Sequence, residues 1–225
     1  MKKILVIFLP LSLALFFSLL TGFKKAEKPA EASKPAEATK APVQAPEVKG
    51  TDEHFQKAHE FFLKKDMKAT VSEIQKAVEL MKLEEEKATE EGKKGLKASV
   101  NELEKLVKDV ETGAEISEKK MKDIFAKAEH SLANHHYLKA SEQWTKKETK
   151  ETGQALKDAV FHLEQAVKWA GHTLEAGAAE GIESARIIAG KLKAEEKLGA
   201  EEVNKAIKNL GAEVSKLGEK IEPKK

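Results

Sequence analysis

Apolar residues recur along this chain at helical spacing, and the most insistent case lies between Tyr137 and Ala170. There Leu156, Val160, Leu163, Val167 and Ala170 step by four, three, four and three residues, which aligns side chains along one stripe of an α-helix. The same stretch holds both tryptophans and the only tyrosine. Similar stripes precede it. Phe55, Ala58, Phe62 and Leu63 predict a first helix capped by Thr51 or Asp52, and Lys65-Asp66 reads as a short turn. Met67, Val71, Ile74, Val78 and Met81 predict the next helix, and Leu96, Val100, Leu103, Val107 and Val110 another, closed by Gly113. Ser117 caps a helix that turns Met121, Ile124, Phe125, Ala128 and Leu132 inward, and Asn134-His135-His136 is expected to make the turn into the central stretch.

Past Gly171 a helix rich in small residues is expected to run to about Ala194, with Gly199 as its break. Gly177-x-x-x-Gly181 within it is expected to permit close helix–helix approach. The last helix carries the most regular heptad, Val203, Ile207, Leu210, Val214, Leu217 and Ile221, the pattern of a coiled-coil seam. No proline occurs between Glu47 and Glu222. Because proline costs about 3 kcal/mol inside a helix but is common in loops and at strand edges, its absence over this length points to helix throughout.

Residues 1–50 are of another kind. Lys2 and Lys3 precede an uncharged run from Ile4 to Leu20, the layout of a signal sequence or membrane anchor assigned to residues 1–23. Leu20-Thr21-Gly22 resembles the start of a lipoprotein box, but Phe23 stands where the lipidated cysteine would be, so thioether lipidation is excluded. Residues 24–50 hold four of the six prolines among Lys, Ala, Glu, Ser and Thr, including the near-repeats Lys28 to Ser33 and Lys34 to Thr39. Such a composition predicts a disordered tether reaching on the order of 80 Å if extended. Residues 51–225 are left as an all-α multi-helix bundle.

Two segments of that bundle match. Phe55-x-Lys-Ala58 corresponds to Phe125-x-Lys-Ala128, and Leu96 to Val110 is identical to Leu156 to Ala170 at seven of fifteen positions. The match suggests two duplicated helical hairpins, each with a return helix, followed by a C-terminal helix pair.

Charge and chemistry narrow the function. The first fifty residues carry eight Lys against four Glu, so the +2 of the whole chain conceals a slightly acidic bundle. Its signs are interleaved, and without a basic stripe no nucleic-acid partner is expected. Cysteine is absent, which removes disulfides, thiol nucleophiles, thiolate zinc and covalent haem attachment. The seven histidines, His54, His59, His130, His135, His136, His162 and His172, contain neither His-x-x-x-His nor Glu-x-x-His. Pairs five residues apart diverge by about 140° around a helix, so no metal site, cofactor or catalytic group is expected from spacing. His162 falls one position off the buried stripe and reads as a boundary residue.

The resulting expectation is an exported, tethered helical bundle of the periplasm or cell envelope. It would be non-enzymatic, meeting the membrane through its N-terminal segment and engaging a protein partner or a second copy of itself. His135, His136, Tyr137 and Trp144, with the stripe Val203, Ile207, Leu210, Val214 and Leu217, are the candidate partner-binding residues. The alternative is a metal- or haem-binding bundle using interhelical histidines.

Overall fold

Seven helices and no strand make up the residues described by the computed structural model, 50–173 and 176–221. The segments assigned to export (1–23) and to the tether (24–50) lie outside them, apart from Gly50. The helices are α1 (Gly50–Leu63), α2 (Met67–Glu86), α3 (Glu90–Glu111), α4 (Glu118–Thr145), α5 (Thr149–Trp169), α6 (Ala176–Lys193) and α7 (Ala200–Ile221). Among the described residues no helix is long and apolar enough to cross a membrane.

Local chemistry sets the boundaries. Asp66, Thr89 and Ser117 accept the backbone N–H groups of Ala69, Gly92 and Lys120 with their side-chain oxygens, at 3.0, 3.2 and 3.1 Å, and so cap α2, α3 and α4. Five helices stop in the same way, by a residue in the left-handed region whose successor's N–H reaches back to a carbonyl five residues earlier. Gly113 and Gly171 serve α3 and α5 at no steric cost, but Lys65, Lys147 and Glu195 do so after α1, α4 and α6 with φ near 60°.

The predicted turn at Asn134-His135-His136 does not exist. Residues 118–145 form one continuous helix, the longest among the described residues at 28 residues. Nothing in that tripeptide breaks a helix: it lacks Gly and Pro, and the two imidazoles are turned inward rather than left at a surface bend. This length lets α4 serve two cores. Its N-terminal half packs Met121, Phe125, Ala128 and Leu132 with α1, α2 and α3, and its C-terminal half packs Ala133 and Ala140 with α5, α6 and α7. In the first core Phe55 stacks on Phe125 at 4.4 Å, and Trp169 meets Phe125 edge-on at 5.3 Å while donating to Asp52 Oδ1 at 3.2 Å.

The heptad of α7 is consumed inside the chain's own core. Val203, Ile207, Leu210, Val214 and Leu217 are all buried against α4, α5 and α6, so they do not form a surface open to a partner. Two glycines make the seat. An ideal Cβ on Gly211 would lie 2.5 Å from the Tyr137 ring, and one on Gly218 would lie 2.8 Å from the ring of His130, whose Nε2 is 2.8 Å from the Val214 carbonyl. Gly177-x-x-x-Gly181 does not create a close approach. Gly177 has open space, Gly181 only ordinary contacts, and the tight crossing instead falls at Gly153, where a Cβ would meet the α6 backbone at 2.8 Å.

Candidate metal centre

The seam between the two cores holds a cluster of buried polar side chains. Glu129, His135 and His136 lie on one turn-to-turn stretch of α4, His162 faces them from α5, and Glu84 comes from the last turn of α2. His135, His136, His162 and Glu129 are at most 1% exposed. Gly92, in the first turn of α3, allows the backbone to close over His135: a Cβ there would sit 3.3 Å from its Nδ1.

One ligand atom from each of Glu84, His135 and His136 lies within 4.8 Å of the other two. His135 Nε2 and Glu84 Oε2 are 3.4 Å apart, an electrostatic contact that falls short of hydrogen-bond alignment. Lys87 donates to the same carboxylate at 3.1 Å. Next to this trio, His162 Nδ1 and Glu129 Oε2 are 2.5 Å apart. The ring centres of His135 and His136 are separated by 4.6 Å, and those of His136 and His162 by 5.5 Å.

Both nitrogens of His135, both of His136, Nε2 of His162 and Oε1 of Glu129 have no hydrogen-bond partner. Leaving a buried polar atom unsatisfied costs about 1–3 kcal/mol, so such a group of unpaired lone pairs is what a cation would relieve. The protonation states suit that role. Burial, reinforced by the neighbouring His162 and His135, holds His136 well below 6.5, so its imidazole is neutral with a lone pair available. Burial pushes Glu84 upward, but the contacts from His135 and Lys87 outweigh it and bring its carboxyl down to about 2, leaving it ionised at neutral pH. Burial raises Glu129 despite the attraction of His162.

Two imidazoles and a carboxylate form a donor set for zinc, copper, nickel or iron rather than for calcium or magnesium. Ring centres 4.6 and 5.5 Å apart cannot admit a porphyrin between these imidazoles. A groove of about 820 Å³ does exist, at the end where α3, α4 and α7 meet, but its lining includes none of these three histidines.

The residues singled out from sequence are distributed otherwise than expected. His135 and His136 are not surface groups at a turn but the centre of the cluster, and His162 is fully buried rather than at a boundary. Tyr137 is half-buried over Gly211, and Trp144, also half-buried, donates to Asn204 Oδ1 at 2.8 Å, so both join α4 to α7. Spacing along the chain missed Glu84 and Glu129. The signals present were the seven-residue step from Glu129 to His136, which puts both on one face of a continuous helix, and an acidic residue in the last turn of α2. Comparison with protein families, with curated proteins and with solved structures finds no match.

Proposed function

We propose that this chain is a metal-binding helical bundle that holds one first-row divalent transition-metal ion through Glu84, His135 and His136. The carrying observation is the convergence of three ligand atoms within 4.8 Å at two buried imidazoles that have no other partner. The role in this reading is non-enzymatic, and the N-terminal features of the sequence support a tethered position in the envelope. This promotes the alternative raised by the sequence above the partner-binding reading, whose α7 stripe is already occupied. The stacking of Phe55 on Phe125, equivalent positions in the two matched segments, supports internal duplication, with α4 standing for α1 and α2 joined end to end.

The test uses the full-length chain expressed in a bacterium, extracted from the membrane or periplasmic fraction, stripped with a chelator and dialysed against Zn²⁺, Ni²⁺ or Cu²⁺. One equivalent should remain bound after exhaustive dialysis, and the combined Glu84→Gln and His135→Ala variant should retain none. A folded wild-type protein that keeps no metal overturns the proposal. Recovery only from the cytosol overturns the envelope assignment alone.

A further inference from the structure

Beside the proposed ion lies a second carboxylate–imidazole unit that the three-ligand reading does not use. Glu129 and His162 are 2.5 Å apart and both wholly buried, and His162 Nε2 has no partner. A buried imidazole whose Nδ1–H is taken by a carboxylate keeps its lone pair on Nε2 and has its ring orientation fixed, the condition in which metal-ligating histidines are found. Resting on the metal-binding reading above, we propose that His162 is the fourth ligand of the same ion and that Glu129 is its positioning residue.

Ring spacing supports this. Two imidazoles bound to one tetrahedral ion at ~2.0–2.1 Å per metal–nitrogen bond hold their ring centres roughly 5 Å apart. The two separations here, 4.6 and 5.5 Å, bracket that value. The rings of His136 and His162 are within 4° of parallel, so one must turn before both nitrogens face a common point. His162 lies outside the trio whose ligand atoms are already within 4.8 Å of one another and must draw nearer, and His136 is the ring free to turn. It has no hydrogen bond to break, and rotation about its Cβ–Cγ bond is soft, whereas Glu129 fixes the orientation of the His162 ring.

The consequence is a closed centre of three imidazoles and one carboxylate, drawn from α2, α4 and α5. Four protein ligands without an open position are the mark of structural zinc sites, in contrast to catalytic sites, which keep one position for water or substrate. The ion would therefore be Zn²⁺ or a similar ion accepting tetrahedral geometry, held and not used for hydrolysis.

Co²⁺ is the probe, because four-coordinate Co²⁺ absorbs visible light intensely and five- or six-coordinate Co²⁺ only weakly. The stripped full-length protein should take up one Co²⁺ with the intense four-coordinate spectrum. His162→Gln should bind at least 10–100-fold more weakly and with a changed spectrum, because water takes the place of an imidazole, and Glu129→Gln should lose affinity by about 10–100-fold while keeping the wild-type spectrum. If the histidine variant does not fold, long-range proton–nitrogen NMR of the wild type replaces it: adding Zn²⁺ should move His162 Nε2 to a metal-bound shift. Binding with a weak wild-type spectrum, a spectrum unchanged in His162→Gln, or an unmoved Nε2 resonance overturns the fourth-ligand assignment while leaving the three-ligand site standing. A wild type that binds no Co²⁺ and no Zn²⁺ overturns the metal reading itself.

Discussion

Glycine inside a helix costs about 1 kcal/mol relative to alanine, yet α7 carries two, at positions 211 and 218. Ring seating explains both. The missing Cβ at Gly211 is where Tyr137 rests, and the one at Gly218 is where the His130 ring rests. Gly190 in α6 is the control, since a Cβ there would meet nothing within 4 Å. Gly211→Ala should therefore destabilise the protein by ~1–3 kcal/mol through overpacking, despite its better propensity. Gly190→Ala should stabilise by up to ~1 kcal/mol. Urea denaturation of the two variants measures both, and a stabilising Gly211→Ala would mean that Tyr137 is not seated in α7.

At the scale of helices, α7 is where the chain can be cut to greatest effect. Its five buried aliphatics are worth ~1.5–3 kcal/mol each when removed from water, a sum comparable with the roughly 5–15 kcal/mol net stability of a whole domain. Ending the chain after Gly199 should thus lower the melting temperature strongly and expose the α4–α5 face, as read by circular dichroism and dye binding. An unchanged melt would contradict docking of α7 on its own bundle. That stripe was legible in the sequence because a single helix displays its own period, and the same holds for the stripes of α3 and α5 and, beyond the exposed Met67, of α2. What lies across a helix boundary was not. Periodicity says which face of α4 is buried but not that Glu84, some fifty residues earlier, faces His135. The turn read at Asn134-His135-His136 hid the site further, because two adjacent polar residues look like a bend until a neighbouring helix is known to cover them. Of the helix ends closed by a left-handed non-glycine residue, those at Lys65 and Glu195 fell where the sequence reading put them, and only the one at Lys147 went unannounced.

For the molecule as a whole, the position of the cluster matters as much as its ligands. The first core draws on α1 to α4 with Trp169 of α5, the second on α4 to α7, and the histidines sit where α4 passes from one to the other. An ion bound there would join α2 to α4, and through His162 to α5, so it would couple the two cores as well as relieve unpaired lone pairs. Binding to the folded state alone stabilises by about 4.1 kcal/mol at a free metal concentration a thousandfold above the dissociation constant. In a domain of this size each kcal/mol moves the melting temperature by ~2–4 °C, so saturating Zn²⁺ should raise it by roughly 8–16 °C. Calorimetry should also show the two cores melting in one transition with Zn²⁺, with any separation between them appearing only in the stripped protein. Metal binding to histidines of the unfolded chain would reduce the shift but not abolish it, since only the fold brings a carboxylate and the imidazoles of separate helices together. The combined Glu84→Gln and His135→Ala variant isolates the site's contribution. It retains the exposed histidine His172 and should show almost no response to Zn²⁺, whereas a shift equal to that of the wild type would place the stabilising ion elsewhere on the protein.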